Sequence, residues 1–417
     1  MNKNCISAQA SNEHVRNTAP SILAVTSQLP WPLNSGGHLR SFHLLRAMAR
    51  RFQVRLVVPV VDGDESSIEP LLQQGITVCP VPVGARIQWR EALRAVGSAL
   101  SGLPYIMYQR HERRAVRAAL ITEIARKKPD IGYLDHLDSL VYAPCFAGIS
   151  MVLDLHNVYS AIARSAAEEQ SSWIRRSYLR REARLLERVE KHACKVAAVI
   201  SGVSEQDVAY FTALGGRHVH LVPNGVDCSV YDSLPIGRHG NPPVFLYVGD
   251  MSWQPNVQAA CFLAKEVLPK VRHQFPEARL QVVGRNPASE VVALQQLPGV
   301  EVTGTVPQIL PYLREARLLA VPLEAGGGTR LKILEAFAAG LPVVSTPLGC
   351  EGLRVANNEH LLIASRKRFV ECIQSVLNET DRQYRLAEQA RALAFEHYDW
   401  GSIGEITCQA IEEAVRI

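Results

Sequence analysis

Several familiar signatures are missing from this sequence. Its nine cysteines (5, 79, 145, 194, 228, 261, 350, 372 and 408) include no C-x-x-C pair. That spacing argues against both a disulfide framework and a zinc site, and it suits a reducing cytoplasm. No apolar window of about 18 residues occurs, so no membrane-spanning helix is expected. Residues 1–20 are polar; they read as a flexible extension, neither signal peptide nor membrane span. The lack of a G-x-S-x-G elbow ranks a Ser/His/Asp hydrolase low, and no repeat of solenoid period is visible. A net charge of +5 over 417 residues suits anionic small molecules but is too mild to argue for nucleic acid.

What is present is an alternation. The chain exceeds what one core usually supports, so two domains are expected. From Ser21 onward, short apolar runs alternate with longer helical patterns, the mark of parallel-sheet α/β architecture. Expected strands at 22–26, 54–60, 76–81, 130–134, 150–155 and 196–200 form one set. A second set is expected at 244–248, 279–283, 300–303, 317–321 and 342–345. Between them, 222–243 concentrates turn residues and reads as a linker.

The most informative stretch is EAGGGTRLKILEAFAAGLPVVST, 324–346. An apolar run opens into Gly326, Gly327, Gly328 and Thr329, and a short helical pattern follows. Glycines admit an anion close to the backbone, and the amides of a helix start point at it. Arg330 and Lys332 stand at the same place, so both can serve one anion, such as a diphosphate, near the helix axis. Glu335 lies on the Lys332 face one turn deeper, where a carboxylate can accept hydrogen bonds from a sugar diol.

In the first half, Gly36 and Gly37 open a helix after the first strand, where open α/β sheets bind ligands. The strand ending DLHN presents Asp154, His156 and Asn157 at another strand terminus. His38 and His43 read as surface or packing residues. Residues 168–195 read as one helix with eight basic and five acidic side chains and an apolar stripe through Tyr178, Leu185 and Val189. Its basic face is suited to solvent or, alternatively, to anionic lipid or a phosphorylated acceptor.

These residues together resemble the retaining glycosyltransferases of the GT-B fold, family 4 (group 1). The marks are SGG at 35–37, DLHN at 154–157, ISGVSEQD at 200–207, VPNGVD at 222–227 and YVGDMSWQPN at 247–256. VVGR at 282–285, VTGTV at 302–306, GGGTRLKILEAFAAGLPVVST at 326–346 and YDW at 398–400 complete the set. The resemblance implies two Rossmann-like domains facing across a cleft: 21–224 on the acceptor side and 225–398 for the nucleotide sugar. Residues 399–417 would then cross back as a terminal helix. It implies base contacts from the backbone around Gly304, Thr305 and Val306, Glu335 on the ribose, and Arg330 with Lys332 on the diphosphate. Gly249 joins the donor contacts, and the loop from Gly326 to Thr329 would hold the sugar or the phosphates. Gly36 and Gly37 would approach the diphosphate or the acceptor, and His156 would face the transferred sugar.

Two departures stand out. Relatives often place a glutamate eight positions before the ribose-binding one, where this chain has Gly327; the nearest candidate is Glu324. They also often carry an Arg and a Lys after the first strand of the second domain, where this chain has Gly249, Asp250 and Met251, then Asn256.

The activity implied is transfer of a sugar from a nucleotide-diphosphate sugar to a glycan, lipid-linked or small-molecule acceptor, in a setting such as polysaccharide biosynthesis. No D-x-D cluster stands near the donor loop, so the cationic pair is expected to replace a metal ion, and no cofactor is expected. The alternative is a nucleotide-sugar-binding protein of this fold with altered or lost activity. The expected location is the cytoplasm, with the basic helix as a peripheral membrane contact.

Overall fold

The computed structural model describes residues 5–6, 19–61, 65–84, 91, 94, 97–98, 102–105, 108–168, 170–237, 242–326 and 330–417. The chain divides into two compact units, Met1–Pro223 with Ile403–Ile417, and Asn224–Ser402.

In unit 1 the strands are β1 (Ser21–Val25), β2 (Gln53–Val60), β3 (Thr77–Pro82), β4 (Ile131–Asp135), β5 (Ser150–Leu155), β6 (Val199–Gly202) and β7 (Val219–Leu221). They form one parallel sheet in the order β3-β2-β1-β4-β5-β6-β7. Parallel strands are covered on both faces and so read as unbroken apolar runs; β1 and β4 are buried along their whole lengths. β7 was not expected, because three half-buried residues carry no periodic signal.

The helices of this unit include α1 (Gly36–Ala49), α2 (Tyr159–Glu168), α3 (Trp173–Val196) and α4 (Glu205–Ala213). Ser35 caps α1 by accepting from the His38 amide at 3.2 Å, and Ser204 caps α4 by accepting from that of Asp207 at 3.1 Å. The helix expected over 168–195 is thus the second of a pair. Its stripe holds at Leu185 and Val189 but fails at Tyr178, which is 43% exposed.

One expectation is corrected at the chain start. Within the extension expected to be flexible, Cys5 is disulfide-bonded to Cys79, and Ile6 exchanges backbone hydrogen bonds with Val78. The two cysteines are far apart in sequence, so no spacing motif could report their pairing.

Unit 2 holds β8 (Val244–Val248), β9 (Arg279–Val283), β10 (Val300–Gly304), β11 (Leu318–Val321), β12 (Val343–Ser345) and the two-residue β13 (Leu362–Ile363). This second parallel sheet runs β10-β9-β8-β11-β12-β13. Two of its helices are α5 (Gln254–Phe262) and α6 (Leu331–Ala338). The last helix, α7 (Trp400–Arg416), belongs to unit 1 from Ile403 onward. There Glu405 pairs with Arg51, and the Ala414 carbonyl accepts from Ser150 Oγ at 2.8 Å.

Both sheets reverse their chain order once, between β1 and β4 and between β8 and β11. Such switch points leave a crevice at the carboxyl ends of the strands where ligands bind. The loops that open there are the ones the sequence singled out: Gly36–Gly37 and His156 in unit 1, and Gly249 and 324–326 in unit 2. Among the described residues, no helix is long and apolar enough to cross a membrane.

Candidate active site

His156 follows β5 and is 7% exposed. Its Nε2 lies 3.0 Å from Asp135 Oδ1, at the end of β4, and 3.1 Å from Asp154 Oδ2. Asp154 is gripped in turn by Arg40 of α1, whose Nε and Nη2 donate at 2.8 and 2.6 Å, and by the Ser201 hydroxyl. Ser41, the next residue of α1, donates to Asp135 Oδ2 at 2.7 Å. Four adjacent elements at the switch point therefore hold one imidazole. Its other nitrogen, Nδ1, faces Gly37, where an added Cβ would lie 4.0 Å away. His136, in a left-handed conformation (φ 75°), stands edge-on to His156 at 4.6 Å and hydrogen-bonds the Tyr159 hydroxyl.

Burial alone would neutralise this histidine. Asp135 and then Asp154 outweigh burial and push the His156 pKa up to about 9. Burial likewise opposes ionisation of Asp154, yet Arg40 foremost and His156 hold it well below the usual carboxylate range. At neutral pH the ring is an imidazolium whose Nδ1–H points toward the glycine turn of α1. Asp135, Asp154 and His156 also bring three ligand atoms within 4.8 Å of one another. Both Asp154 oxygens also accept from Arg40, at 2.8 and 2.6 Å.

In unit 2, Lys332 of α6 is half-buried, with Nζ 3.2 Å from Asn256 Oδ1 and 4.6 Å above the centre of the Tyr247 ring. Asn256 is itself fixed, accepting from the Tyr247 hydroxyl at 2.7 Å and donating to the Asp250 carbonyl at 2.9 Å. Gly249 makes room for it, since a Cβ there would meet Asn256 Nδ2 at 2.7 Å. Burial and then Arg330 push Lys332 down to about 7, with Glu335 opposing. Burial pushes Glu335 up to about 7, with Lys332 opposing. The Glu335 carboxylate has no hydrogen-bond or ion-pair partner among the described residues. Two adjacent charges are held in a place that disfavours both.

The remaining candidates fall as follows. Arg330 is buried and braces its own loop, donating to the carbonyls of Gly326 at 2.8 Å and Leu348 at 3.2 Å. Gly326 has φ 98°, and a Cβ there would lie 2.2 Å from the Trp253 ring. Gly304 ends β10, its carbonyl accepting from the Gly284 amide at 3.2 Å. The amides of Thr305 and Val306 have no backbone partner among the described residues. Glu324 is exposed and paired with Arg366 at 3.1 Å. Asn157 is half-buried, directly after His156. Gly327, Gly328 and Thr329 lie outside the described residues.

Residues 35–225 match the family described as "Glycosyl transferase 4-like domain", and residues 242–379 match "Glycosyl transferases group 1". The chain belongs to the group 1 glycosyltransferases. This glycosyltransferase is 23% identical to a glycogen synthase of Mycobacterium tuberculosis, over 69% of its own chain and 70% of that protein. It is 26% identical to an alpha-maltose-1-phosphate synthase of Mycolicibacterium smegmatis, over 67% and 75%. Its fold is GT-B: HepE of Anabaena, solved in complex with UDP-glucose, aligns with TM-score 0.65 at 16% identity over 94% of this chain and 99% of that one. A sucrose-phosphate synthase from Thermosynechococcus elongatus aligns with TM-score 0.68 at 15% identity over 94% and 98%.

Sequence reasoning passed over the supports of this glycosyltransferase's site. Arg40, Ser41, Asp135 and Ser201 were not singled out, although Asp135 and His136 repeat at the end of β4 the polar strand ending of β5. Arg285, the last residue of the VVGR mark, was given no role in the site. It sits 2.8 Å from Asp250 and brings a cation to the loop after β8, where relatives often carry their own.

Proposed function

We propose that this glycosyltransferase takes its sugar from a nucleoside-diphosphate sugar bound by unit 2 and passes it, with retention, to an acceptor bound by unit 1. The acceptor class is a glycan, a lipid-linked molecule or a small molecule, in an assembly pathway of the cytoplasm. The observation that carries the donor assignment is the Lys332 and Glu335 pair. Each is held in its less favoured charge environment, and a diphosphate with its ribose supplies what both lack: negative charge beside Lys332, and hydroxyl donors for Glu335. The UDP-glucose held by the Anabaena neighbour supports the same class of donor.

Transfer breaks the bond from the anomeric carbon to phosphate, and negative charge grows on the departing diphosphate. Preorganised cations and helix-start amides lower that barrier. Lys332 and the first turn of α6 are the groups so assigned, with Arg330 holding the loop and contributing its charge. This reading needs no metal ion. His156, charged and fixed by two carboxylates, is assigned to orient the transferred sugar through Nδ1–H.

A thermal-shift panel of uridine, guanosine and adenosine diphosphates and their sugar conjugates, with and without EDTA, tests this. A ligand at about one hundred times its Kd stabilises the fold by roughly 2.7 kcal/mol. Selective stabilisation by one base, unchanged by EDTA and lost in Lys332→Ala, is expected. A response abolished by EDTA overturns the metal-free reading, and full donor turnover in Lys332→Ala overturns the site.

The start of α3 supports a membrane contact. Ile174 and Tyr178 lie on the stripe that Leu185 and Val189 continue into the core, yet they are exposed, as is Trp173 at 76%. Arg175, Arg176, Arg180 and Arg181 surround them, the combination that suits an anionic lipid surface. Sedimentation with anionic vesicles, reduced in Trp173→Ala/Ile174→Ser, is expected; equal binding by that variant overturns the contact.

A further inference from the structure

A second cluster of cations in unit 1 takes no part in the site above. A cavity of about 680 Å³ opens between the carboxyl end of β3 and the helix Arg114–Arg126, lined by Val83, Gly84, Arg94, Glu112, Arg113 and Arg114 among others. That helix leads back to the start of β4, so its beginning lies at the carboxyl edge of the sheet, the edge that carries His156.

Segment 91–117 contains five arginines and two glutamates. Both glutamates are matched. Glu91 pairs with Arg94 at 3.0 Å and Arg110 at 3.8 Å, and Glu112 pairs with Arg117 at 2.6 Å. Arg94 also donates to the carbonyls of Gln109 and Glu112 at 2.8 and 2.9 Å, which pins the cavity wall. Arg113 and Arg114 are left with no carboxylate partner among the described residues, and the helix they begin has no side-chain cap. Two unmatched guanidiniums at a cavity mouth, beside uncapped amides, are complementary to phosphate oxygens.

The cavity is also linked to the reaction centre. His111, adjacent to Glu112, lies with Nδ1 3.2 Å from Asp138; Asp138 lies 3.4 Å from His136 Nδ1; and His136 is the ring edge-on to His156.

We propose that this cavity binds a phosphate or diphosphate group of the acceptor, with Arg113 and Arg114 as its ligands. The proposal rests on the reading of unit 1 as the acceptor side, and it narrows the acceptor to a phosphorylated one. It leaves open whether that phosphate belongs to a lipid-linked diphosphate or to a soluble sugar phosphate.

Calorimetric titration of the full chain with inorganic pyrophosphate, in the presence of saturating UDP so that the donor site is already filled, tests it. Arg113→Gln/Arg114→Gln removes the ligands, Ala115→Trp fills the mouth without changing charge, and Lys332→Ala controls for the donor site. Because neither arginine is in an ion pair among the described residues, Arg113→Gln/Arg114→Gln is expected to melt with the wild type. The expected result is a Kd for pyrophosphate raised about tenfold or more in the first two variants and unchanged in the third. A loss confined to Lys332→Ala, or no saturable binding by the wild type, overturns the proposal.

UDP is titrated into the same set, so that failure of the donor reading shows as missing UDP binding whatever pyrophosphate does. Displacement of pyrophosphate by glucose 6-phosphate, or by vesicles carrying a polyprenyl diphosphate, identifies the source. Displacement by neither overturns the acceptor role.

Discussion

Arg40 and Asp154, 114 positions apart, form a bidentate pair in which both side chains are fully buried. Nothing in this pair touches solvent, yet with Asp135 it helps to set the charge on His156, because Asp154 shares its oxygens between the guanidinium and the imidazole. Removing one partner of a buried pair strands the other. Arg40→Met is therefore expected to destabilise unit 1 by about 3–5 kcal/mol, read by urea denaturation. Arg40→Met/Asp154→Leu is expected to recover a large part of that loss.

The histidine makes a second prediction. Its folded pKa, about 9, lies above its ordinary value of 6.5. A raised pKa means that folding favours the protonated ring, so the stabilisation is complete below pH 6.5 and is lost as pH rises through about 9. The stability difference between wild type and His156→Gln is expected to shrink across that window in melts at closely spaced pH. A difference that stays constant from pH 6 to pH 10 contradicts the charged ring.

Lys332 predicts the reverse. Burial has lowered its pKa to about 7 from 10.5, so folding disfavours the ammonium, and the cost is fully present below about pH 7 and fades toward pH 10.5. Lys332→Met is expected to raise the Tm of the ligand-free protein by a few degrees at pH 6, less at pH 9, while abolishing donor binding. A gain in stability with loss of function is the usual mark of a strained binding site. Calorimetry at the two pH values, with and without donor, checks both halves.

Gly326 tests the loop. At φ 98°, with the Trp253 ring 2.2 Å from any added Cβ, Gly326→Ala is expected to cost more than about 1 kcal/mol. Because Arg330 donates to the Gly326 carbonyl, donor affinity is expected to fall with it. Gly84→Ala, whose Cβ would meet nothing within 4 Å, serves as the control glycine and is expected to leave donor affinity unchanged.

Arg285 is the cation that Asp250 draws to the loop after β8. Arg285→Ala is expected to raise the Kd for the donor severalfold without a change in Tm, since the side chain is 42% exposed. An unchanged donor Kd removes Arg285 from the site.

Much of this was legible beforehand. Eleven strands announced themselves as short apolar runs, since most are covered on both faces, and Gly326 sits at a positive φ that few residues tolerate. His156 was visible because a polar residue directly after such a strand points to the carboxyl edge. β7 and β13 were too short to leave a pattern. The Cys5–Cys79 bond and the exposure of Tyr178 depend on contacts between distant segments.

The sequence by itself determined two parallel sheets, the strand ends that carry the polar residues, and the glycine turn that opens into Arg330, Lys332 and Glu335. Those features follow from local rules of burial, periodicity and backbone freedom. Only the tertiary structure decided which charges meet. The Ser41–Asp135 bond spans 94 positions, and the proton on His156, the burial that depresses the Lys332 ammonium and the lack of a carboxylate partner for Arg113 and Arg114 among the described residues all depend on how distant segments meet. A charge state is set by the carboxylates and apolar walls within a few ångströms, and that neighbourhood exists only once the chain has folded.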